Sequence, residues 1–172
     1  LTPGPLTTSL STKEAMLHDW GSRDKIFIDL NHSIRESLVK LIDGEDDYQC
    51  VPMQGSGTFA VESMISSLTK KNSKILILIN GAYGHRMKKM CEYLDRSFID
   101  YEVAEDKTHD LNEIENIIDS NTDLTHVFAV YCETTSGILN PIQQIADLVE
   151  RKNLSLFIDA MSAFGALPLN CK

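Results

Sequence analysis

Four short clusters hold the residue types from which a ligand site can be built. Gln54-Gly55-Ser56-Gly57-Thr58 opens a helical apolar pattern. Its two glycines let the backbone turn tightly, and Ser56 and Thr58 add hydroxyls beside the free N–H groups of a first helical turn. That combination suits a phosphate. A capping Ser or Thr beside a turn glycine has the same appearance, and with Phe59, Ala60 and Val61 following, the spacing is neither a Walker loop nor G-x-G-x-x-G. Asn80-Gly81-Ala82-Tyr83-Gly84-His85-Arg86 follows a strand-like run. Tyr83, set among small residues, has a ring that can lie flat on a planar ligand or pack on the sheet edge; His85 reads as a solvated or helix-capping residue. Glu133-Thr134-Thr135-Ser136-Gly137 places three hydroxyls before a glycine, as a polar-ligand loop or an ordinary turn would. Asp159-Ala160-Met161-Ser162 puts an acid directly after a buried strand, which is costly without a partner. With no His or Cys cluster beside it, a metal suits Asp159 less well than a protonated ring nitrogen; a helix N-cap is the alternative.

The elements that must carry these clusters alternate. Strand-like runs occupy residues 74–79, 97–103, 125–131 and 155–158, and helical patterns occupy 58–68, 85–94, 111–118 and 142–151. This order predicts an α/β fold, a parallel-dominated sheet sandwiched by helices and joined by right-handed crossovers. Ile75-Leu76-Ile77-Leu78-Ile79, apolar without polar alternation, fits a central strand buried on both faces. Ahead of the sheet, the prolines and glycine of residues 1–5 predict an extended arm. Ser11-Thr12-Lys13-Glu14 has the form of a capping box and predicts a short helix to about residue 20; a second helix is expected over 28–41, ending at Asp43-Gly44. Ligands of open α/β sheets bind beyond the carboxyl ends of the strands. A phosphate cup, a flat aromatic, a hydroxyl loop and an acid gathered at that edge match pyridoxal 5′-phosphate (PLP), with its phosphate, planar ring, phenolic oxygen and pyridine nitrogen. An acid on that nitrogen holds it protonated.

Composition agrees with a globular chain: 172 residues, 42% hydrophobic, with a formal net charge of −9. The negative balance argues against nucleic acid or an anionic membrane as partner, while leaving small anionic substrates open. No apolar run reaches membrane-spanning length, and the start has no signal-peptide pattern. Cys50, Cys91, Cys132 and Cys171 are scattered without a CxxC pair, as expected of free thiols in a reducing, cytoplasmic setting.

The residues carry a resemblance. The segments 1–9, 54–58, 80–84, 133–141 and 159–165 resemble, in the same order, those of the 2-aminoethylphosphonate:pyruvate aminotransferases, within the class V, fold-type I PLP enzymes. The resemblance implies that Ser56, Gly57 and Thr58 hold the PLP phosphate. Tyr83 would cover one ring face and Met161 the other, Thr134 would contact the phenolic oxygen, and Asp159 would pair with the pyridine nitrogen. Thr7, Thr8 or Ser9 would reach the substrate phosphonate. It further implies transamination of an amino phosphonate with the 2-oxo acid pyruvate, yielding phosphonoacetaldehyde and alanine, by a homodimer. On the same resemblance, residues 1–20 form an arm and short helix, and 21–172 an incomplete PLP-binding large domain. The Schiff-base lysine is expected beyond Asp159; Lys172 comes too early, so this chain alone is expected to be inactive. The alternatives are an alanine–glyoxylate (serine–pyruvate type) aminotransferase, a cysteine desulfurase, a non-catalytic α/β module for a phosphate-bearing ligand, and a dinucleotide-binding oxidoreductase. The last lacks both the glycine spacing and the ribose-binding acid.

Overall fold

Residues 7–171 are described in a computed structural model; the arm expected over residues 1–5, and Lys172, lie outside them. The chain forms two compact units, one of residues up to Met53 with those from Phe164, the other Gln54–Ala163.

The second unit holds the sheet. Its strands are β1 (Lys74–Ile79), β2 (Ser97–Glu102), β3 (His126–Val130) and β4 (Ser155–Asp159), all parallel, in the order β2-β1-β3-β4. Helices α3 (Gly57–Leu68), α4 (Ala82–Tyr93), α5 (Leu111–Ser120) and α6 (Ile142–Arg151) alternate with them. β1 is central, and its Ile75 to Ile79 are all buried. Ile75, Ile77 and Ile79 join Phe128 and Val130 of β3 in one cluster with Ile65 of α3 and Met87, Met90 and Cys91 of α4. Strand alternation sends Leu76, Leu78, Val127 and Ala129 to the opposite face. There α6 lies against α5 and β4, contributing buried Ile145, Leu148 and Val149 beside Ile114 and Ile118. Each fully buried Ile or Leu contributes about 1.5–3 kcal/mol, so a strand apolar on both sides is the strongest fixed point of the unit. β2, at the edge, keeps half-exposed side chains.

Three helices depart from the sequence reading by three residues or more. The first helix, α1 (Leu10–Ala15), is capped by Ser9, whose Oγ accepts the Thr12 N–H at 3.2 Å; Ser11 lies inside the helix. It stops after six residues. Leu10, Met16 and Leu17 are exposed, so no burial supports further turns. The second helix, α2 (Lys25–Lys40), begins three residues earlier than expected, after Asp24 in an extended conformation. Asp43 then takes a positive φ of 52°, where the sequence placed the stop. In the sheet unit, α4 begins at Ala82 and not at His85, so Tyr83 belongs to a helix's first turn. Among the described residues no helix is long and apolar enough to cross a membrane, and all four cysteines are free.

One buried polar side chain has a consequence for pH. His109, 4% exposed, packs edge-on to Tyr101 at 5.2 Å between ring centroids. Neither ring nitrogen has a partner in hydrogen-bonding geometry among the described residues. Burial lowers its pKa, against a smaller opposing pull from the Ile79 and Tyr101 backbones and Asn140. The folded protein therefore holds the ring neutral, while the unfolded chain protonates it near the ordinary value of about 6.5. The stability this contributes is whole above that pH and is lost as pH falls below it, with a slope of at most about 1.4 kcal/mol per pH unit. His126, also lowered by burial, adds in the same sense. Chemical denaturation between pH 8 and 5 will show stability falling below pH 6.5, and His109→Phe will make the fall shallower.

Candidate active site

The strands deliver the clusters to one edge. Val130 is paired with Asp159 at the carboxyl ends of β3 and β4, and Ile79 ends β1 alongside. Two amides tie the loops that follow. Asn80 Nδ2 donates to Asn140 Oδ1 at 2.9 Å, and Asn140 Nδ2 donates back to Asn80 Oδ1 at 3.1 Å. The remaining protons go to the carbonyls of Lys107 and Val130, both at 2.9 Å. A buried amide pair is stabilising only when satisfied in this way.

At the start of α3, Gly55 has a φ of 127°, and a Cβ there would sit 2.8 Å from the Phe59 ring. This turn needs glycine. Ser56 is extended and caps nothing with its side chain. The Gly57 and Thr58 N–H groups have no acceptor among the described residues, so donors and the positive end of the helix dipole face outward together. Thr58 Oγ1 accepts from Arg86 Nη1 at 3.0 Å, which leaves its own proton free to donate to an anion. The Arg86 guanidinium lies over the Tyr83 ring, 4.6 Å from its centroid.

The acid loop reaches the same place. A Cβ on Gly57 would lie 3.3 Å from Met161 Sδ, and Met161 is 67% exposed. Asp159, half-buried at the end of β4, accepts the Met161 N–H on Oδ1 at 3.0 Å; Oδ2 has no donor among the described residues. Thr134 Oγ1 is hydrogen-bonded to Ser162 Oγ, which joins the hydroxyl loop to the acid loop. Ser56, Gly57, Thr58, Tyr83, Thr134, Asp159 and Met161 thus border one edge of one unit. Thr7, Thr8 and Ser9 belong to the other unit, and the Ser9 hydroxyl is engaged at α1 with Ser11 and Thr12. His85 is a surface residue, its Nε2 3.3 Å from Glu102 Oε1.

Sequence reasoning missed Glu133, Asn80, Asn140 and Arg86 as the ties between these loops. Glu133 was within reach of it. Like Asp159, it is an acid close after a buried strand, and such an acid needs a donor.

The chain matches the class-V aminotransferase family model over residues 11–172. It belongs to the class-V aminotransferases. A 2-aminoethylphosphonate–pyruvate transaminase of Pseudomonas fluorescens (strain Pf0-1) is 50% identical over 172 residues, all of this chain and 47% of that protein. One from Pseudomonas aeruginosa (strain UCBPP-PA14) is 46% identical over the same length, 46% of its own. The chain therefore spans just under half the length of these curated relatives. Among solved structures, pyridoxamine–pyruvate aminotransferase from Mesorhizobium loti superimposes with a TM-score of 0.89 at 22% identity, over 99% of this chain and 43% of that one. Alanine–glyoxylate aminotransferase from Nostoc sp. gives 0.89 at 22%, over 98% and 45%. At that identity the two structures show a shared fold. Class-V aminotransferases are PLP-dependent.

Among the described glycines the tightest approach is at Gly81. Its φ of 166° is extended backbone open to any residue, yet a Cβ would fall 2.2 Å from Glu133 Cγ. Gly81→Ala will lower unfolding stability by about 1–3 kcal/mol through overpacking, measured by urea denaturation. In a Glu133→Ala background, which lacks the clashing carbon, the same change will cost less, measured against Glu133→Ala alone.

Proposed function

We propose that the full-length protein containing this chain is a PLP-dependent transaminase that moves the amino group of 2-aminoethylphosphonate to pyruvate, releasing phosphonoacetaldehyde and alanine. The cofactor reading is carried by one observation: the unengaged N–H groups of Gly57 and Thr58 and the open Asp159 carboxylate oxygen lie at one edge, joined through Met161. The substrate reading is supported by the 46–50% identity to transaminases of that name along the whole chain.

In this reading the Gly57 and Thr58 amides and the Ser56 and Thr58 hydroxyls hold the cofactor phosphate at the helix N-terminus, where anions are favoured. The Tyr83 ring and the Met161 side chain border the flat ring from opposite sides. Thr134, steadied by Ser162, gives a hydroxyl to the phenolic oxygen. Asp159 holds a proton on the pyridine nitrogen by opposite-charge attraction. PLP, when bound, supplies the electron sink for charge developing at the substrate carbon. The anchoring lysine, and an arginine to bind the carboxylate of pyruvate, are proposed to lie in the length that the curated relatives have beyond the part matched here. Thr7, Thr8 and Ser9 are proposed to reach the phosphonate, in a cytoplasmic homodimer; the free thiols suit that compartment.

The apo form of the full-length protein, titrated with PLP by absorbance, will show saturable binding. Asp159→Ala and Tyr83→Ala will each weaken it by about 10–100-fold, as expected for loss of a charge-assisted bond or a stacked ring. Unchanged affinity in both variants would defeat the cofactor reading. Alanine production from pyruvate will depend on 2-aminoethylphosphonate, and amine transfer confined to glyoxylate as acceptor would defeat the substrate reading.

A further inference from the structure

Glu133 is a fully buried acid, 0% exposed, at the turn between β3 and the hydroxyl loop. Its Oε1 accepts the Tyr83 N–H at 3.2 Å and the Thr135 hydroxyl at 3.3 Å; its Oε2 is buried without a donor among the described residues. A carboxylate half-satisfied in the interior is costly, so its place must be held by what it does for its surroundings.

Two contacts show what that is. No residue next to α4 caps the helix with its side chain, since the N-cap is Gly81. The cap arrives from 50 residues away, on an N–H that would otherwise be an orphan. The stem of the same side chain fills the space that Gly81 leaves, where even one added carbon would collide with Cγ. Glu133 itself sits in a closed turn: its N–H donates to the Ile138 carbonyl at 2.9 Å, and its carbonyl accepts the Gly137 N–H at 2.7 Å. Stem and head together fix the backbone from Gly81 to Tyr83. Arg86, one turn on, then bears on the Tyr83 ring and on Thr58.

We infer that Glu133 is a positioning residue for Tyr83: it holds the first turn of α4 and so sets the plane in which the aromatic ring meets a ligand. The acceptor oxygen at Tyr83 is what matters, so a neutral amide of the same length keeps the function. The backbone role stands on the geometry alone; what the ring meets rests on the PLP reading.

The test uses the full-length protein with Glu133→Gln, Glu133→Ala and Glu133→Asp, the last keeping the carboxyl group but shortening its reach. Without cofactor, amide hydrogen exchange at residues 81–84 will speed up by about 10-fold or more in the Ala and Asp variants, and stay within about 3-fold of wild type in Glu133→Gln. Exchange at residues 75–79 serves as the folding reference and will not change. With PLP, affinity and the induced circular dichroism of the bound cofactor will fall in the Ala and Asp variants and recover in Gln. The inference is overturned if residues 81–84 exchange no faster in Ala and Asp, or if Gln is as fast as Ala. It is also overturned if residues 75–79 lose protection in both Ala and Asp, since the role is then structural. If exchange behaves as described but wild type binds no PLP, the positioning role stands and the cofactor reading fails.

Discussion

A parallel ladder has one consequence that governs the rest of the molecule: all its strands finish at the same edge. β1, β3 and β4 run in one direction, with Ile77 opposite Phe128 and Val130 opposite Asp159. Burial of β1 on both faces fixes that ladder, because a slip of one residue would exchange Ile75, Ile77 and Ile79 for Leu76 and Leu78 on the face of α3 and α4. Everything chemical follows from the edge so defined. The loops after β1, β3 and β4 have nowhere else to go, and α3, returning to feed β1, presents its N-terminus on the same side.

What the edge assembles is a set of outward-facing unsatisfied groups held in place by side chains bonded behind them, Glu133 through its Oε1 alone. Two amide protons at α3 and one oxygen of Asp159 are open. Around them the Asn80–Asn140 pair, the Glu133 cap, the Thr134–Ser162 bond and the Arg86 contacts are closed. Such a division is what a binding site requires: ligand-facing groups are worth most when the groups behind them cannot move to satisfy one another. Arg86 is the single cation in these contacts, and its neighbourhood with the helix dipole makes that corner favourable for an anion within an acidic chain.

Most of this architecture was legible in the residues. The run 75–79 announced its strand because it is apolar on both faces, and the residue types of the Gly55–Thr58 and Asp159–Ser162 clusters placed them at a helix start and a strand end, with a capping reading open beside the ligand reading in each. The illegible part is the part made by distant partners. α4 starts three residues earlier than its own pattern suggests because its cap is Glu133. α1 is shorter than its capping box suggests because Ser9, not Ser11, reaches the Thr12 amide, and no core supports more turns. Thr134 reads as a free hydroxyl in sequence and is joined to Ser162 in space. Pairing across 28 to 60 residues leaves no periodic signal.

The central claim is that the turn at Ser56–Thr58, the first turn of α4, the hydroxyl loop and the Asp159 loop form a single site for a flat phosphorylated pyridine. A crystal structure of the full-length protein grown with PLP tests this most directly. The phosphate will lie against the Gly57 and Thr58 amides and the pyridine nitrogen beside the Asp159 carboxylate. Cofactor density that engages neither group, in a protein whose sheet is otherwise intact, would contradict it.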